Sequence, residues 1–368
     1  MAISIVIISA LIISAVCGFI AIPNILNFCL TRKIFDIPNS RKVHKNLVPR
    51  LGGISFIPSM LLAFILALAM LSYEYKGHII QINLWSFFFL LSLLIIYSLG
   101  IIDDLIGLGA RIKFSVQIMA AVLLPASGLY INNLYGLFGA HAIPAWLGIP
   151  FTVFAIVFVV NAMNLIDGID GLCAGISEMA LAGFLFAFYE EGLYVYCILI
   201  AGLMGVLIPY LYYNLFGGRN RDKKIFMGDS GSLTLGFILS FLSVKLSMDN
   251  SAVMPFNPWH MPVALSLLLV PVFDVVRVIL HRLRTHRSPF HPDKNHIHHK
   301  LIRYGLTMHQ SLITIILIAI AFLAINSAVF YLSYSFTLML IIDILLYTAL
   351  TIYLNLATRH KIQEERQP

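Results

Sequence analysis

The stretch from residue 145 to residue 188 reads AWLGIPFTVFAIVFVVNAMNLIDGIDGLCAGISEMALAGFLFAF. It consists of two long apolar runs joined by a polar segment, residues 161–171, that holds two Asn and two Asp. An ionisable side chain beside a membrane-spanning helix costs free energy, so it usually lines a cavity and marks a functional site. The alternative is a solvated turn, because Asn and Asp-Gly are common turn residues. The two interpretations are distinguished by whether other segments bring matching polar residues to the same side of the membrane.

The rest of the chain is equally apolar. Of its 368 residues, 60% are hydrophobic and only 11% are charged, whereas about a quarter of the residues of a soluble domain are charged. We therefore predict an all-α polytopic membrane protein of ten or eleven transmembrane helices, forming one domain over residues 1–356, with a short tail over 357–368. The eleven apolar runs are 3–29, 51–71, 83–102, 114–130, 145–160, 172–188, 192–215, 231–248, 261–280, 309–328 and 333–356.

The basic residues predict the orientation. If the eleven runs alternate across the membrane, 22 of the 24 Lys and Arg fall on one face, and only Lys76 and Lys245 lie elsewhere. By the positive-inside rule this face is cytoplasmic, so we expect the N-terminus outside and the C-terminus inside. The net charge of +7 then reflects topology and affinity for phosphates or anionic lipid, not nucleic-acid binding.

Polar clusters recur on this same predicted face. Asp103 and Asp104 end the third run, where they are either neutralised by Arg111 and Lys113 or bind a divalent ion or phosphate. Gly52 and Gly53 are either a turn in a basic loop or a place where backbone approaches a phosphate.

Two further clusters follow. Asp229 opens a new run, either as a helix cap or as a metal ligand beside a phosphate-binding helix N-terminus. Asp274 and Arg277, three residues apart, predict an intramembrane ion pair. The loop 282–300 contains five His and five Arg or Lys; without Cys, and with cations interleaved, it favours a polyphosphate clamp over a zinc site.

This one-sided distribution predicts an enzyme that joins a soluble phosphate substrate to a lipid, with acidic residues holding Mg²⁺ and basic residues neutralising phosphate. The alternatives are an ion-coupled transporter and a non-catalytic lipid-binding scaffold. A transporter would carry charges near the centres of its helices, and a scaffold has no need for acidic residues on three separate segments.

Four motifs together resemble the polyprenyl-phosphate N-acetylhexosamine-1-phosphate transferases, over about residues 32 to 305: Asp103-Asp104, residues 161–171, residues 226–232 and His296-Ile-His298-His299. The resemblance implies ten or eleven helices, cytoplasmic catalytic loops and a bacterial cytoplasmic membrane. It also implies transfer of a sugar 1-phosphate from a UDP-N-acetylhexosamine to undecaprenyl phosphate, which starts a surface polysaccharide. UMP is released, and the cofactor is Mg²⁺, with Mn²⁺ as an alternative.

The sequence Pro49-Arg50-Leu51-Gly52-Gly53 and the His motif are closer to the WecA-like branch than to the peptidoglycan branch. UDP-GlcNAc is therefore the expected donor, and UDP-GalNAc, UDP-QuiNAc and UDP-MurNAc-pentapeptide are alternatives. The oligomeric state stays open, a homodimer included.

The resemblance also implies residue roles. Asp229 and Asn164 would contact the metal. Asp103 and Asp104 would lie beside the lipid phosphate, with Asp103 the candidate base, although an ionised phosphate monoester could attack without one. Asp167 and Asp170 would form a nucleoside-side pair. The remaining candidates bind substrate, with Phe226 stacked on uracil and the histidines on pyrophosphate: Lys45, Arg50, Asn161, Asn214, Phe226, His296, His298 and His299.

Overall fold

The computed structural model describes residues 3–36, 47–74, 84–217, 223–251, 254–288 and 295–364. Within these ranges the chain folds into thirteen α-helices and four short strands. The helices are α1 (Ile3–Arg32), α2 (Phe56–Glu74), α3 (Leu84–Ile106), α4 (Ala110–Ala126), α5 (Ala145–Ile166), α6 (Leu172–Glu190), α7 (Tyr194–Phe216), α8 (Gly228–Ser247), α9 (His260–Leu267), α10 (Leu269–Arg284), α11 (Ile297–Tyr304), α12 (Met308–Ser333) and α13 (Phe336–Glu364).

The predicted all-α membrane architecture is confirmed. Among the described residues, nine helices are long and apolar enough to cross a membrane, and α9 with α10 forms a tenth candidate span. The remaining predicted run, 114–130, corresponds to α4, whose 17 residues are at the short limit for crossing about 30 Å of hydrocarbon. The last helix, α13, continues into the predicted tail as far as Glu364.

The ninth predicted run is a broken helix and not a continuous one. Helices α9 and α10 meet at Leu268 with a bend of 67°. Pro271 explains the break, because proline has no N–H to donate to the carbonyl of Leu267 and its ring crowds that carbonyl. Helix α10 therefore leaves the direction of α9 and carries the chain toward the His motif.

Helix α8 is the centre of the bundle. It packs against α3 and α5, and nearly every residue from Ser230 to Ser247 is buried. Close packing requires small residues: a Cβ on Gly100 of α3 would lie 2.5 Å from the Ser230 Cα, and one on Gly236 would lie 2.8 Å from the Val160 Cα. Helices α12 and α13 are far less buried, as expected for helices that face lipid.

Two antiparallel strand pairs complete the fold. Strand β1 (Phe35–Asp36) pairs with β2 (Val48–Pro49), and β3 (Asn133–Leu137) pairs with β4 (Ala140–Ala142). After β2, a 3-10 helix (Gly52–Ser55) leads into α2.

The two glycines of this 3-10 helix pack against the chain that enters α8. Gly52 N donates to Phe226 O and Gly53 N to Met227 O, both at 2.9 Å. A Cβ on Gly53 would lie 2.1 Å from the backbone nitrogen of Gly231. The suggestion that this pair cradles a phosphate is therefore wrong: both amides are used within the protein, and the glycines permit contact between two backbones.

Candidate active site

The polar motifs at the ends of α3, α5 and α8 converge on one cavity. Its volume is about 360 Å³. Six aspartates line it, from the strand β1, the end of α3, the turn after α5 and the start of α8: Asp36, Asp103, Asp104, Asp167, Asp170 and Asp229. Such a density of carboxylates requires compensating cations, and three basic side chains reach the cluster: Arg50, Lys113 and Lys224.

Asp229 and Asn164 lie side by side, as predicted for a metal-binding pair. Asn164 Nδ2 donates to Asp229 Oδ1 at 3.0 Å and to Ser232 Oγ at 2.8 Å. Because the nitrogen makes both bonds, the amide oxygen of Asn164 is the atom that a cation would use.

Lys113 joins two of the carboxylates. Its ammonium lies 2.6 Å from Asp103 Oδ2 and 2.7 Å from Asp229 Oδ2. Neutralisation of the Asp103–Asp104 pair by a nearby cation, one of the two interpretations of that motif, is thus observed for Asp103. Asp103 also accepts a hydrogen bond from the backbone N–H of Leu108 at 2.6 Å.

Asp104 binds backbone instead of a side-chain cation. Its two carboxylate oxygens accept from the N–H groups of Asp229 and Ser230, each at 2.9 Å. It therefore caps the N-terminus of α8, where free N–H groups and the helix dipole favour a negative charge. Gly228 makes this approach possible, since it has a φ of +70° and a Cβ there would lie 2.3 Å from Asp104 Oδ2.

The turn between α5 and α6 contributes the other predicted carboxylate pair. Asp170 is paired with Lys224 at 2.5 Å. Burial, followed by the charges of Asp229, Asp170 and Asp104, raises the pKa of Asp167 to about 8. The negative charges around Asp167 thus favour its neutral form, and a bound cation would favour its ionised form.

The three histidines of the His motif have different surroundings. His299 lines the cavity. His296 Nδ1 lies 2.7 Å from Asp274 Oδ2. His298 packs on the turn after α5: a Cβ on Gly168 would lie 2.2 Å from its Nε2.

The protonation of His298 follows from this setting. Burial, followed by the neighbouring His299 and His296, lowers the pKa of His298 to about 3. His298 is therefore neutral at physiological pH, and its role as a direct pyrophosphate ligand stays a prediction.

Asp274 anchors the His motif. The predicted pair with Arg277 is present, with Arg277 Nη2 2.7 Å from Asp274 Oδ1. The same carboxylate also accepts from the backbone N–H of Ile297 at 3.0 Å and faces the Tyr347 hydroxyl at 3.5 Å. Asp274 thus joins α10, α11 and α13, which its i, i+3 spacing with Arg277 alone did not indicate.

Phe226 and Arg50 lie at the cavity wall, as predicted for substrate-binding residues. Phe226 N donates to Pro49 O at 2.8 Å, and Lys224 Nζ lies 5.4 Å from the centre of the Phe226 ring. Arg50 Nη1 lies 3.9 Å from Asp36 Oδ1. Lys45, the other basic candidate, lies outside the described residues.

The two remaining asparagines bind protein groups. Asn161 is absent from the cavity lining; its Nδ2 donates to Gln117 Oε1 at 2.6 Å and Val157 O at 2.7 Å, so it joins α5 to α4. Asn214 reaches the cavity wall, but its amide accepts from Gly171 N at 2.7 Å and donates to Ile225 O at 2.8 Å.

Comparison with known proteins agrees with the motifs. Residues 86–247 match the model of glycosyl transferase family 4. A Yersinia pestis protein named undecaprenyl-phosphate alpha-N-acetylglucosaminyl 1-phosphate transferase is 31% identical over 293 residues, which is 78% of this chain and 74% of that protein. A Bacillus subtilis protein named a probable undecaprenyl-phosphate N-acetylglucosaminyl 1-phosphate transferase is 31% identical over 341 residues, 91% of this chain and 89% of the relative.

The chain belongs to glycosyl transferase family 4. The resemblance drawn from the four motifs is thereby confirmed, and the protein is a multi-pass membrane glycosyltransferase. The segment matching the family model contains three of those motifs, at 103–104, 161–171 and 226–232, while helix α11 with the histidines follows it.

The donor atoms of this family 4 site suit a hard divalent cation. Among the described residues no three His, Cys, Asp or Glu side chains form a ready-made metal cage. Mg²⁺ does not need one, since it is usually held by one or two carboxylates, with water and substrate phosphates completing its octahedron. Asp229 with the Asn164 amide oxygen fits that pattern.

Proposed function

We propose that this protein transfers N-acetylglucosamine 1-phosphate from UDP-GlcNAc to undecaprenyl phosphate, releases UMP and so starts a lipid-linked surface polysaccharide. The observation that carries the proposal is the convergence of Asp103, Asp167 and Asp229, from three separate segments, on one cavity. The names of the relatives from Yersinia pestis and Bacillus subtilis support the same acceptor and sugar.

In this reaction an oxygen of the lipid phosphate forms a bond to the sugar-bearing phosphorus. The bond from that phosphorus to the bridging oxygen breaks, and UMP leaves with the electron pair. Both substrates are anionic, so the cavity must oppose their repulsion from each other and from its own aspartates. Arg50, Lys113 and Lys224 supply the positive charge that the chain itself offers.

Asp229 and the amide oxygen of Asn164 would hold Mg²⁺, which would supply positive charge to the reacting phosphate groups. The side chain of Phe226 offers an apolar ring to the uracil. Asp103, bonded to Lys113 and to the Leu108 amide, is the carboxylate proposed beside the lipid phosphate. Asp104 contributes by fixing the start of α8, and so the position of Asp229.

The proposed setting is the bacterial cytoplasmic membrane, with the cavity on the cytoplasmic face and the N-terminus outside. The charge distribution supports this orientation, because 22 of the 24 Lys and Arg would lie on the face of the site motifs if the eleven predicted runs alternate across the membrane. The undecaprenyl chain would then stay in the bilayer while its phosphate meets the soluble donor at the membrane surface.

A transfer assay tests the proposal. Purified protein, undecaprenyl phosphate and Mg²⁺ are mixed with a panel of UDP-sugars, and UMP is followed. We expect UMP with UDP-GlcNAc, none with EDTA and none with Asp229→Ala. Asp249→Asn is the matched control: it alters an aspartate that pairs with Asn133 outside the cavity, so turnover should be retained.

UMP from a different UDP-sugar alone would contradict the donor, and unchanged turnover of Asp229→Ala would contradict the metal assignment. Folded protein that releases no UMP with any donor would contradict the reaction and favour an ion-coupled transporter.

A further inference from the structure

Lys113 lies between two of the carboxylates, Asp103 and Asp229, that require a compensating positive charge. Its ammonium bridges Asp103 Oδ2 and Asp229 Oδ2 at 2.6 and 2.7 Å. The two aspartates come from α3 and α8, and their negative charges would repel each other without a cation between them. Lys113 thus links α3 to α8 across the site.

The lysine and a metal compete for the same atom. Both carboxylate oxygens of Asp229 already accept hydrogen bonds, Oδ1 from Asn164 Nδ2 and Oδ2 from Lys113 Nζ, so a cation that binds Oδ2 must displace the ammonium. A divalent ion coordinated by Asp229 Oδ2 would also lie within a few ångström of the ammonium, and two positive charges at that separation repel strongly.

The Lys113 side chain is partly exposed at the start of α4. The residue lies in the first turn of this helix, and its side chain is 26% exposed. A Cβ added to Gly109, which precedes α4, would meet no atom within 4 Å, so this corner of the protein is open. The flexible four-carbon stem of lysine allows the ammonium to turn toward water.

We propose that Lys113 is a resident counter-cation that stands in for the divalent metal at Asp103 and Asp229, and that metal binding displaces it. This inference rests on the proposed function, because it takes the same carboxylates as cation ligands. Lys113 would hold the two carboxylates together before the metal binds. Because the metal must displace it, the metal affinity would be lower than that of the same carboxylates without the lysine. Lys113 is in this respect a positioning residue whose charge sets the affinity for the metal.

The test measures Mn²⁺ binding by electron paramagnetic resonance on the full-length protein without substrate. We expect Lys113→Gln to lower the Kd for Mn²⁺ about tenfold or more, because the competing charged hydrogen bonds are removed. Lys113→Arg should raise the Kd, since a guanidinium can bind both carboxylates with two parallel hydrogen bonds. The expected order of Kd is therefore Gln below Lys below Arg.

Arg111→Gln is the matched control. Arg111 is an exposed cation on the same helix, two residues away. If competition at Asp229, and not the net charge of the protein, sets the affinity, Arg111→Gln should leave the Kd for Mn²⁺ unchanged. A second readout is thermal stability. Without metal, Lys113→Gln should melt at a lower temperature than the wild type. Added Mn²⁺ should raise the melting temperature of Lys113→Gln by more than it raises that of the wild type.

An unchanged or higher Kd in Lys113→Gln would overturn the inference, and so would Mn²⁺ binding that does not depend on Asp229. If Lys113→Gln does not fold, the arginine variant decides, because binding as tight as in the wild type would contradict competition. Release of UMP in the transfer assay tests the proposed function separately from these binding data.

Discussion

At the scale of single residues, the adjacent aspartates at the end of α3 do different work. Asp103 makes an ion pair with Lys113, whereas Asp104 accepts two backbone hydrogen bonds from the start of α8. Two adjacent aspartates thus differ in their contacts: Asp103 is held by a lysine at the cavity, and Asp104 fixes the start of α8.

Substitution of each aspartate by asparagine separates these roles. Asp104→Asn turns an N–H donor toward the helix N-terminus or loses one acceptor, so we expect it to lower the free energy of unfolding by about 1–3 kcal/mol. Asp103→Asn should cost less stability, because Lys113, its partner, is 26% exposed and keeps its ion pair with Asp229. Thermal unfolding in detergent measures both, and a larger loss in Asp103→Asn would contradict the capping role.

The lowered pKa of His298 predicts how the free energy of unfolding depends on pH. The folded pKa of about 3 is below the value of about 6.5 for a free histidine, so the unfolded chain binds the proton more readily. This contribution to stability is complete above about pH 6.5 and is lost as the pH falls toward 3, by up to about 1.4 kcal/mol per pH unit.

The measurement is the melting temperature between pH 8 and pH 5. We expect His298→Asn to flatten its decline in acid. His309→Gln, which alters an exposed histidine, should follow the wild type; an equally steep decline in His298→Asn would show that another group is responsible.

At the scale of elements, the site depends on how closely the 3-10 helix approaches α8. Gly53→Ala would place a methyl group 2.1 Å from the Gly231 nitrogen, and backbone cannot rotate away as a side chain can. We expect a loss of more than about 3 kcal/mol, comparable to overpacking a core, or failure to fold. Expression level and melting temperature would measure it.

Gly109→Ala is the comparison variant. Gly109 has a φ of −66° and open space around its Cβ position, so alanine should be tolerated there. Equal melting temperatures for the two variants would contradict the close-packing argument.

The spanning helices could be predicted from sequence, whereas the break between α9 and α10 and the short strands were not predicted. Long apolar runs reveal spanning helices because lipid forces the backbone to satisfy its own hydrogen bonds. Hydropathy does not reveal the break before α10, because the chain stays apolar through it. Pro271 is the residue that indicates a helix break there. Asn161 was assigned to the site because it belongs to the 161–171 motif, but its amide donates to Gln117 of α4.

Hydropathy and residue spacing do not predict ion pairs between segments that are distant in sequence. Lys113 and Asp229 are 116 residues apart, and a lysine near a membrane surface ordinarily reports topology. Only the packing of α4 against α3 and α5, on which α8 also packs, brings its ammonium between two carboxylates. The types of residue in the site were thus predictable, whereas their pairing required the fold.

At the scale of the whole molecule, the orientation remains a prediction with a direct test. In a Cys17→Ser background, His141→Cys on strand β4 and Arg287→Cys after α10 place exposed thiols on opposite predicted faces. A membrane-impermeant thiol reagent added to intact cells should label the first and not the second. Labelling of Arg287→Cys without permeabilisation would reverse the proposed topology.

In the proposed reaction phosphorus, and not only sugar, moves to the lipid. UDP-GlcNAc labelled with ³²P at the sugar-bearing phosphate, incubated with undecaprenyl phosphate and Mg²⁺, tests this transfer. We expect the label to enter the lipid fraction while unlabelled UMP is released, and Asp229→Ala to abolish both. Label that stays in the nucleotide as UDP would mean attack at the sugar carbon and would contradict the proposed reaction.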